Sequence, residues 1–180
     1  MTFAPLPPGP FKVILADPPW HFKTRSPKGE GRSPSKHYKT LGLAELYTLP
    51  LRSIAAKDCA LFLWVPCCHL EQAWALMTAW GFRFKSVAFV WVKPGIGLGY
   101  WTRQQTELCL LCTRGHPKRA RKSVPQVING KRREHSKKPD ETYFRIEELM
   151  GEVPRVELFA RQGWLGWQCW GAEAPFVPKV

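Results

Sequence analysis

Acidic residues are scarce in this 180-residue chain. Its 14 aspartates and glutamates stand against 27 lysines and arginines, which gives a formal net charge of +13. Such an imbalance favours a polyanionic partner. Nucleic acid is the first partner that the charge predicts, and an anionic membrane surface is the second.

The sequence also lacks an apolar run of transmembrane length and a basic amphipathic helix, which weakens the membrane interpretation. The proline-rich start, Met1–Pro10, has neither the charged beginning nor the apolar stretch of a signal peptide. A cytosolic protein is therefore predicted. The length fits one domain, and a 44% share of hydrophobic residues is ordinary for a globular protein.

Cysteines at metal-binding spacing are few. Among six cysteines, Cys109 and Cys112 form a C-x-x-C pair, but they lie within Glu107–Thr113, which has the pattern of a strand. Positions three apart on a strand point to opposite faces, so these two thiols cannot hold one metal ion. The sequence has no second C-x-x-C and no Cys/His pair at zinc spacing. We therefore predict buried, reduced thiols and no metal site.

The most informative stretch that is present is Val13–Trp20, where four apolar residues run into an aspartate, two prolines and a tryptophan. The apolar run predicts a short buried strand. The prolines end it because they lack an N–H and restrict the backbone. Asp17 is therefore expected at the carboxyl end of a strand, where open α/β sheets bind ligands. A carboxylate, two unpaired proline carbonyls and the flat indole of Trp20 suit a planar ring that carries an amino group.

Hydrophobic patterning predicts an α/β fold with a mostly parallel central sheet flanked by helices. A strand at 11–16 is followed by a short helix at 40–47, and strands at 59–65 and 85–92 enclose a helix at 68–80. This repeated strand–helix–strand order indicates βαβ units. Further strands are predicted at 106–113, 124–128 and 155–161, with a helix at 139–150 and a final strand or hairpin at 164–171.

Three polar segments are candidates for contacts to a substrate. Residues 21–40 follow Asp17 closely and predict a gating loop with Tyr38 near its end, although Tyr38 can equally be a plain exposed aromatic. Residues 93–105 are rich in glycine, but no helix follows, which excludes a dinucleotide phosphate loop. Residues 115–138 hold two basic runs, for which binding to a phosphate backbone is predicted over a merely solvated face.

The Asp-Pro-Pro-Trp motif at 17–20, placed after a hydrophobic strand, resembles the catalytic motif of the MT-A70 family of S-adenosylmethionine-dependent adenine-N6 methyltransferases. Other segments resemble motifs of the same family in the same order, so that the resemblance spans roughly residues 11–171. These segments are Phe62–Val65, Trp91–Lys93, Gly99–Glu107, Lys138–Glu141 and Glu157–Arg161.

The resemblance implies a Rossmann-like methyltransferase fold in which the catalytic motif precedes the cofactor-binding motifs. It also implies S-adenosylmethionine as methyl donor and adenine in nucleic acid as acceptor. The match makes Asp17, Pro18, Pro19 and Trp20 the catalytic residues. The residues expected to bind the cofactor are Asp17, Lys138 at its carboxylate, Arg161 near its ribose, and Glu173.

Four residues are expected to bind the substrate. Tyr38 and Glu107 would line an adenine pocket by match to the family. Trp101 and Arg103, in the glycine-rich loop, are an aromatic and a cation of the kind that contacts bases or phosphates. The alternative for these two is a surface loop packed on itself.

The chain departs from the family pattern near its end. The family commonly has an asparagine in the run that here reads Trp170–Glu173, and Ala172 cannot supply that amide contact to the cofactor. Glu173 remains and can bind a ribose diol. The long interface loop of the eukaryotic heterodimers is short here, so no obligate partner subunit is expected. One methyltransferase domain is predicted, with residues 1–10 and 172–180 as tails.

This short form resembles phage and bacterial members of the family, which favours DNA over RNA as substrate and the cytoplasm of a prokaryotic host as location. An inactive methyltransferase fold that only binds nucleic acid is an alternative. RNA as substrate is another, because basic loops bind either polyanion. A cytosine-N4 methyltransferase is a third, although those enzymes more often have serine before the prolines.

Overall fold

The computed structural model describes residues 5–20, 43–97, 99, 101–131, 133 and 137–171. In this part of the chain seven strands form one sheet, with four α-helices and a short 3₁₀ turn. The strands are β1 Phe11–Ala16, β2 Ala55–Val65, β3 Arg83–Val92, β4 Thr106–Arg114, β5 Val127–Asn129, β6 Arg155–Leu158 and β7 Gln168–Trp170. The helices are α1 Leu43–Thr48, α2 Leu51–Ile54, α3 Leu70–Ala79, which follows the 3₁₀ turn Cys67–His69, and α4 Glu141–Met150.

The sheet has the strand order β5-β3-β4-β2-β1-β6-β7. Strand β1 lies near its centre, in parallel pairing with β2 on one side and β6 on the other. Six strands run in one direction, and β4 alone is antiparallel to its neighbours β2 and β3. The predicted α/β class with a mostly parallel sheet and helices on its faces is confirmed.

Both faces of the sheet are covered because its central strands are apolar at successive positions. On one face Ile14, Leu61 and Leu63 pack with the buried residues of α1, α2 and α3. On the other face Leu15, Phe62 and Trp64 pack with Tyr143 and Ile146 of α4. A strand whose side chains are buried on both faces of the sheet has a continuous run of hydrophobic residues. For this reason β1 and β2 are easily recognised in the sequence.

The βαβ interpretation of residues 59–92 is wrong in one respect. Strands β2 and β3 are parallel, but they are not neighbours, because β4 returns between them. The loop 93–105 therefore closes a β3–β4 hairpin, in which the amide of Lys93 donates to the carbonyl of Gln105 at 2.8 Å. As a result, the first residues of β4 lie at the edge where the parallel strands end.

The C-x-x-C pair lies as the strand pattern predicted. Cys109 and Cys112 are both buried in β4 and are not part of a disulfide, and they belong to the cores on opposite faces of the sheet. Burial raises the pKa of the Cys112 thiol to about 12 and that of Cys109 well above its usual range. Thiols in this state are poor metal ligands. Among the described residues no group of three His, Cys, Asp or Glu side chains is arranged to hold a metal ion.

Strand β6 is shorter than predicted. It ends at Leu158, because Phe159 takes a φ of 63°, in the left-handed region that non-glycine residues seldom occupy. The amide of Ala160 then donates to the carbonyl of Trp170 at 3.0 Å, and the Phe159 ring meets the Trp170 ring edge-on at 5.5 Å. These contacts with the end of β7 hold a strained turn next to β1.

No helix in the described ranges is both long and apolar enough to cross a membrane.

Gly171 is required for the turn after β6. A Cβ at this position would lie 2.5 Å from the carbonyl oxygen and 2.8 Å from the amide nitrogen of Ala160. We expect Gly171→Ala to lower the free energy of unfolding by about 1–3 kcal/mol, because backbone atoms cannot yield to the methyl group. Chemical denaturation measures this loss. Gly130→Ala is the control, since its methyl would meet only the Trp91 indole nitrogen, at 3.3 Å. An equal loss in both variants would contradict the explanation.

Candidate active site

Charged side chains meet at the carboxyl edge of the sheet, on the face that α4 covers. Strand periodicity places them there, because residues two apart on a strand share a face. Asp17 continues the face of Leu15 beyond β1, and Lys93 continues that of Trp91 beyond β3. Glu107 precedes Cys109 on the antiparallel β4. Four neighbouring strands therefore present, in spatial order, Lys93, Glu107, Trp64 and Asp17.

Lys138 joins this row from the segment between β5 and α4. Its ammonium donates to Asp17 Oδ2 at 2.6 Å and lies 3.3 Å from Glu107 Oε2. The Trp64 ring lies beneath it, with the centroid 5.8 Å from Nζ. Lys138 is therefore a largely buried cation between two carboxylates that are far apart in sequence.

The electrostatics of this group are set by competition between burial and opposite charge. Burial disfavours the ammonium form of Lys138, but Asp17 and Glu107 outweigh it and raise its pKa above the usual range. Burial likewise favours neutral Glu107, but Lys138 and Lys93 outweigh it and hold the pKa of Glu107 below its ordinary value. All of these contacts favour the ionised forms at neutral pH.

Lys93 closes the other end of the row. Its ammonium forms a short ion pair with Glu107 Oε1 and lies 4.4 Å from the centroid of the Trp91 ring. The charges therefore alternate along the edge, from Lys93 to Glu107, Lys138 and Asp17. Alternation lets each carboxylate face a cation, so no charge of this group is left uncompensated although the group is largely out of water.

Glu157 lies beside Asp17, on β6. The residue is 8% exposed, and one carboxyl oxygen accepts a hydrogen bond from the Tyr143 hydroxyl at 2.9 Å. The other oxygen, Oε2, is buried without a hydrogen-bond partner among the described residues. Burial, with a contribution from the Asp17 charge, raises the pKa of Glu157 to about 7. A buried carboxyl oxygen in this state is completed by a water molecule, an ion or an N–H group as its partner.

The turn after Asp17 differs from the sequence expectation in two ways. The Pro18 carbonyl is not unpaired, since it accepts a hydrogen bond from the Trp20 amide at 2.8 Å. The Trp20 indole is not an open wall, because it is only 3% exposed. Its N–H donates to the Trp64 carbonyl at 3.0 Å, and its ring stacks on His69 at 5.5 Å. Trp20 thus ties the turn to β2 and to the 3₁₀ turn that precedes α3.

The other predicted site residues are less closely grouped. Arg161 is half-buried after the β6 turn, while Trp101 and Arg103 are exposed in the β3–β4 loop. Tyr38 and Glu173, together with Ala172 and most of the predicted gating loop, lie outside the described residues. The structure therefore brings Asp17, Glu107 and Lys138 into direct contact.

Sequence reasoning assigned no role to Lys93, Glu157 or Tyr143. The first two lie within segments that resemble family motifs, Trp91–Lys93 and Glu157–Arg161, so a signal existed for them. No sequence signal indicated a role for Tyr143, because a tyrosine on a helix that packs against a sheet is usually an ordinary core residue. Its hydroxyl is identified only by the carboxyl group that it meets.

Comparison with known proteins gives a consistent result. The MT-A70 family model matches residues 11–173. The Type II methyltransferase M.MunI of Mycoplasma sp. is 36% identical over 192 aligned positions, which cover 97% of this chain and 82% of that protein. The N(6)-adenosine-methyltransferase MT-A70-like protein of Arabidopsis thaliana is 32% identical over 170 positions. The N(6)-adenosine-methyltransferase catalytic subunit METTL3 of Homo sapiens is 30% identical over 162 positions. This chain covers 23% and 26% of those two longer proteins.

The raised pKa of Glu157 predicts a pH-dependent stability. A carboxyl group whose folded pKa of about 7 exceeds its ordinary 4.5 stabilises the fold fully below pH 4.5. That contribution is lost as the pH rises through 7. Glu157→Gln keeps a neutral acceptor for Tyr143, so we expect it to raise the free energy of unfolding at pH 8 by about 3 kcal/mol. At pH 4.5 the two proteins should be nearly equal.

Denaturation at both pH values measures this effect. Glu148→Gln, which removes an exposed carboxylate from α4, is the control and should change little at either pH. A gain at pH 4.5 as large as at pH 8 would show that the effect does not come from ionisation of Glu157.

Proposed function

The chain belongs to the MT-A70 family, and on that premise we propose that it transfers a methyl group from S-adenosylmethionine to the N6 amine of adenine in DNA. The observation that carries the proposal is the Asp17 carboxylate, fixed at the carboxyl edge of the sheet by the ammonium of Lys138 at 2.6 Å. This edge is where open α/β sheets bind their ligands. The 22% exposure of the Asp17 side chain leaves it accessible to a substrate.

Asp17 has a role that follows from the chemistry of the acceptor. An exocyclic amine on an aromatic ring is a poor nucleophile because its lone pair is delocalised. A carboxylate that accepts one of its N–H bonds favours a tetrahedral nitrogen with a localised lone pair, and it takes the proton that the nitrogen loses when the N–H bond is replaced by the bond to the methyl group. The Pro18 carbonyl, which already accepts from Trp20, has a second lone pair for the other N–H. Lys138 holds Asp17 in place, so positioning contributes much of the acceleration.

The residues at this edge fit S-adenosylmethionine. That molecule is cationic at its sulfonium and ammonium groups, and it supplies an electrophilic methyl group when bound. The partnerless Oε2 of Glu157 is an acceptor for a positive or N–H-bearing group, and a cation beside it would lower the pKa of Glu157. Lys138 binds the carboxylate of the cofactor only if its ammonium group is shared with Asp17 and Glu107. Arg161 and Glu173 keep the ribose roles that the family resemblance gives them.

DNA is favoured over RNA by the pattern of similarity. The Mycoplasma relative, named a Type II methyltransferase, is 36% identical over 97% of this chain, whereas the relatives named N(6)-adenosine-methyltransferases are 32% and 30% identical over 87% and 85% of it. We propose one methyltransferase domain without an obligate partner subunit, with Tyr38, Glu107, Trp101 and Arg103 on the substrate side. An adenine in a duplex must leave the base stack, at a cost of about a few kcal/mol. The exposed Trp101 and Arg103 are placed to offset that cost by contacts to bases and phosphates.

Label transfer to three substrates tests the reaction. The purified chain is incubated with S-adenosylmethionine and unmethylated duplex DNA, single-stranded DNA or RNA, and the nucleosides are resolved by mass. We expect N6-methyladenine in DNA. N6-methyladenine in RNA alone would show that the substrate is RNA and not DNA. N4-methylcytosine would show that the methyl acceptor is cytosine and not adenine. Absence of both transfer and calorimetric cofactor binding would favour an inactive fold that only binds nucleic acid.

Asp17 is tested by two substitutions, Asp17→Ala and Asp17→Asn. Each removes the acceptor carboxylate, so we expect transfer to fall by at least about 10²-fold, the lower end for a positioned proton acceptor. Nucleic-acid affinity, measured by fluorescence anisotropy, should persist. Glu71→Gln removes an exposed carboxylate from α3 and is the control. Near-normal transfer in Asp17→Asn would rule out the proposed role.

A further inference from the structure

The first basic run, residues 116–122, does not lie beside the candidate active site. Strand β4 leaves the sheet at Arg114, whose partner in the ladder is Cys59 in the first half of β2. The His116 amide then donates to Asp58 Oδ1 at 2.8 Å, and the Ala120 amide donates to the Leu149 carbonyl, in the last turn of α4, at 2.7 Å. Both anchors lie at the amino edge of the sheet, opposite the edge that carries Asp17.

The separation between the two edges is large. From Asp58 to Val65 strand β2 rises by seven residues, or about 23 Å at 3.3 Å per residue. Charges this far apart in water are screened, since the Debye length is about 8 Å at physiological salt. The basic run therefore contributes little to the field at Asp17. A ligand that it binds is not the group that reacts there.

Four cations of this run face solvent: Lys118, Arg119, Arg121 and Lys122, which we call the amino-edge strip. None of the four has an ion-pair partner within the part of the chain that the structure describes. Two of the acids at the same end are engaged elsewhere, because Asp58 accepts from the His116 amide and Glu152 pairs with Arg155. Other exposed cations extend the positive surface, namely Lys12, Arg52, Lys57 and Arg83.

Hydrogen bonds hold the backbone of the strip in its middle and just beyond its last residue. Ala120 is bonded to α4 in the middle of the run. Beyond the run, the Pro125 carbonyl accepts from Arg145 at 2.6 Å, and the Gln126 side chain donates to the Val87 carbonyl at 2.7 Å. A segment ordered before binding loses little conformational entropy when it meets a ligand. Four unpaired cations on such a segment match a row of closely spaced anionic groups.

We propose that the amino-edge strip is a second binding surface for the phosphate backbone of nucleic acid, separate from the reacting edge. It contacts either a flanking segment of the substrate or another nucleic-acid molecule. Its contribution is affinity through release of condensed counterions, without reading of sequence. The inference rests on the proposed function only in taking nucleic acid as the partner.

A neutralised strip tests this surface. The variant carries Lys118→Gln, Arg119→Gln, Arg121→Gln and Lys122→Gln. Its matched control exchanges the same four residues between lysine and arginine and keeps the charge. Thermal unfolding establishes that both variants are folded. Fluorescence anisotropy with a 30-base-pair unmethylated duplex then gives the dissociation constant over a series of salt concentrations.

We expect the neutral variant to bind the duplex at least tenfold more weakly at low salt. The slope of log affinity against log salt should fall in magnitude by about 3.6 if all four cations contact phosphates, because each lost contact removes about 0.9. The charge-preserving control should match the unsubstituted chain. Equal affinity and slope in the neutral variant would overturn the proposal, as would an equal loss in the control.

The stoichiometry of binding at saturating duplex separates the two sources of phosphate. One duplex per chain, with a reduced slope in the neutral variant, identifies a flanking segment, whereas two duplexes per chain identify another molecule. Strip-dependent binding to phosphatidylserine vesicles with unchanged duplex binding would overturn the proposal in favour of a membrane surface. If neutralising the strip weakens duplex binding but the chain transfers no methyl group, the proposed reaction is contradicted and the proposed binding surface stands.

Discussion

The ammonium of Lys138, buried between Asp17 and Glu107, is the interaction on which the carboxyl edge of the sheet depends. Without it, two carboxylates would stand close together in a partly buried position, with Glu157 nearby. Uncompensated charges of one sign are costly there. Lys138 is 121 positions from Asp17 in the chain, so the edge is complete only when the segment between β5 and α4 is docked on β1. The stability of the site and the closure of the fold are therefore coupled.

The same arrangement explains how one edge keeps groups in different ionisation states. Glu107 faces two cations, whose attraction outweighs its burial and keeps it ionised. Glu157 faces a tyrosine hydroxyl and no cation at hydrogen-bond distance among the described residues, so burial dominates and its pKa rises to about 7. The Asp17 side chain lies between Lys138 and the solvent and is 22% exposed. Neighbouring carboxyl groups thus differ in ionisation because their hydrogen-bond and ion-pair partners differ.

The sheet also separates charged surfaces that are close in sequence. The basic segments on either side of β5 lie at opposite ends of the molecule, Lys138 at the carboxyl edge and residues 118–122 at the amino edge. Net charge alone suggests one continuous basic face. The topology instead places Lys138 beside Asp17 at the carboxyl edge and residues 118–122 at the amino edge. Our proposals assign methyl transfer to the first of these edges and electrostatic affinity for nucleic acid to the second.

The sequence by itself determined β1, the α/β class, the position of Asp17 and the opposite orientation of Cys109 and Cys112. Each follows from local rules, namely apolar runs, proline geometry and the two-residue period of a strand. Only the tertiary structure decided that β4 returns between β2 and β3, that β6 ends at a left-handed Phe159, and that Trp20 is buried. It alone also brought Lys93, Glu157 and Tyr143 to the site. These features depend on contacts between residues far apart in the chain, and no local pattern encodes which strand edges or side chains will meet across that distance.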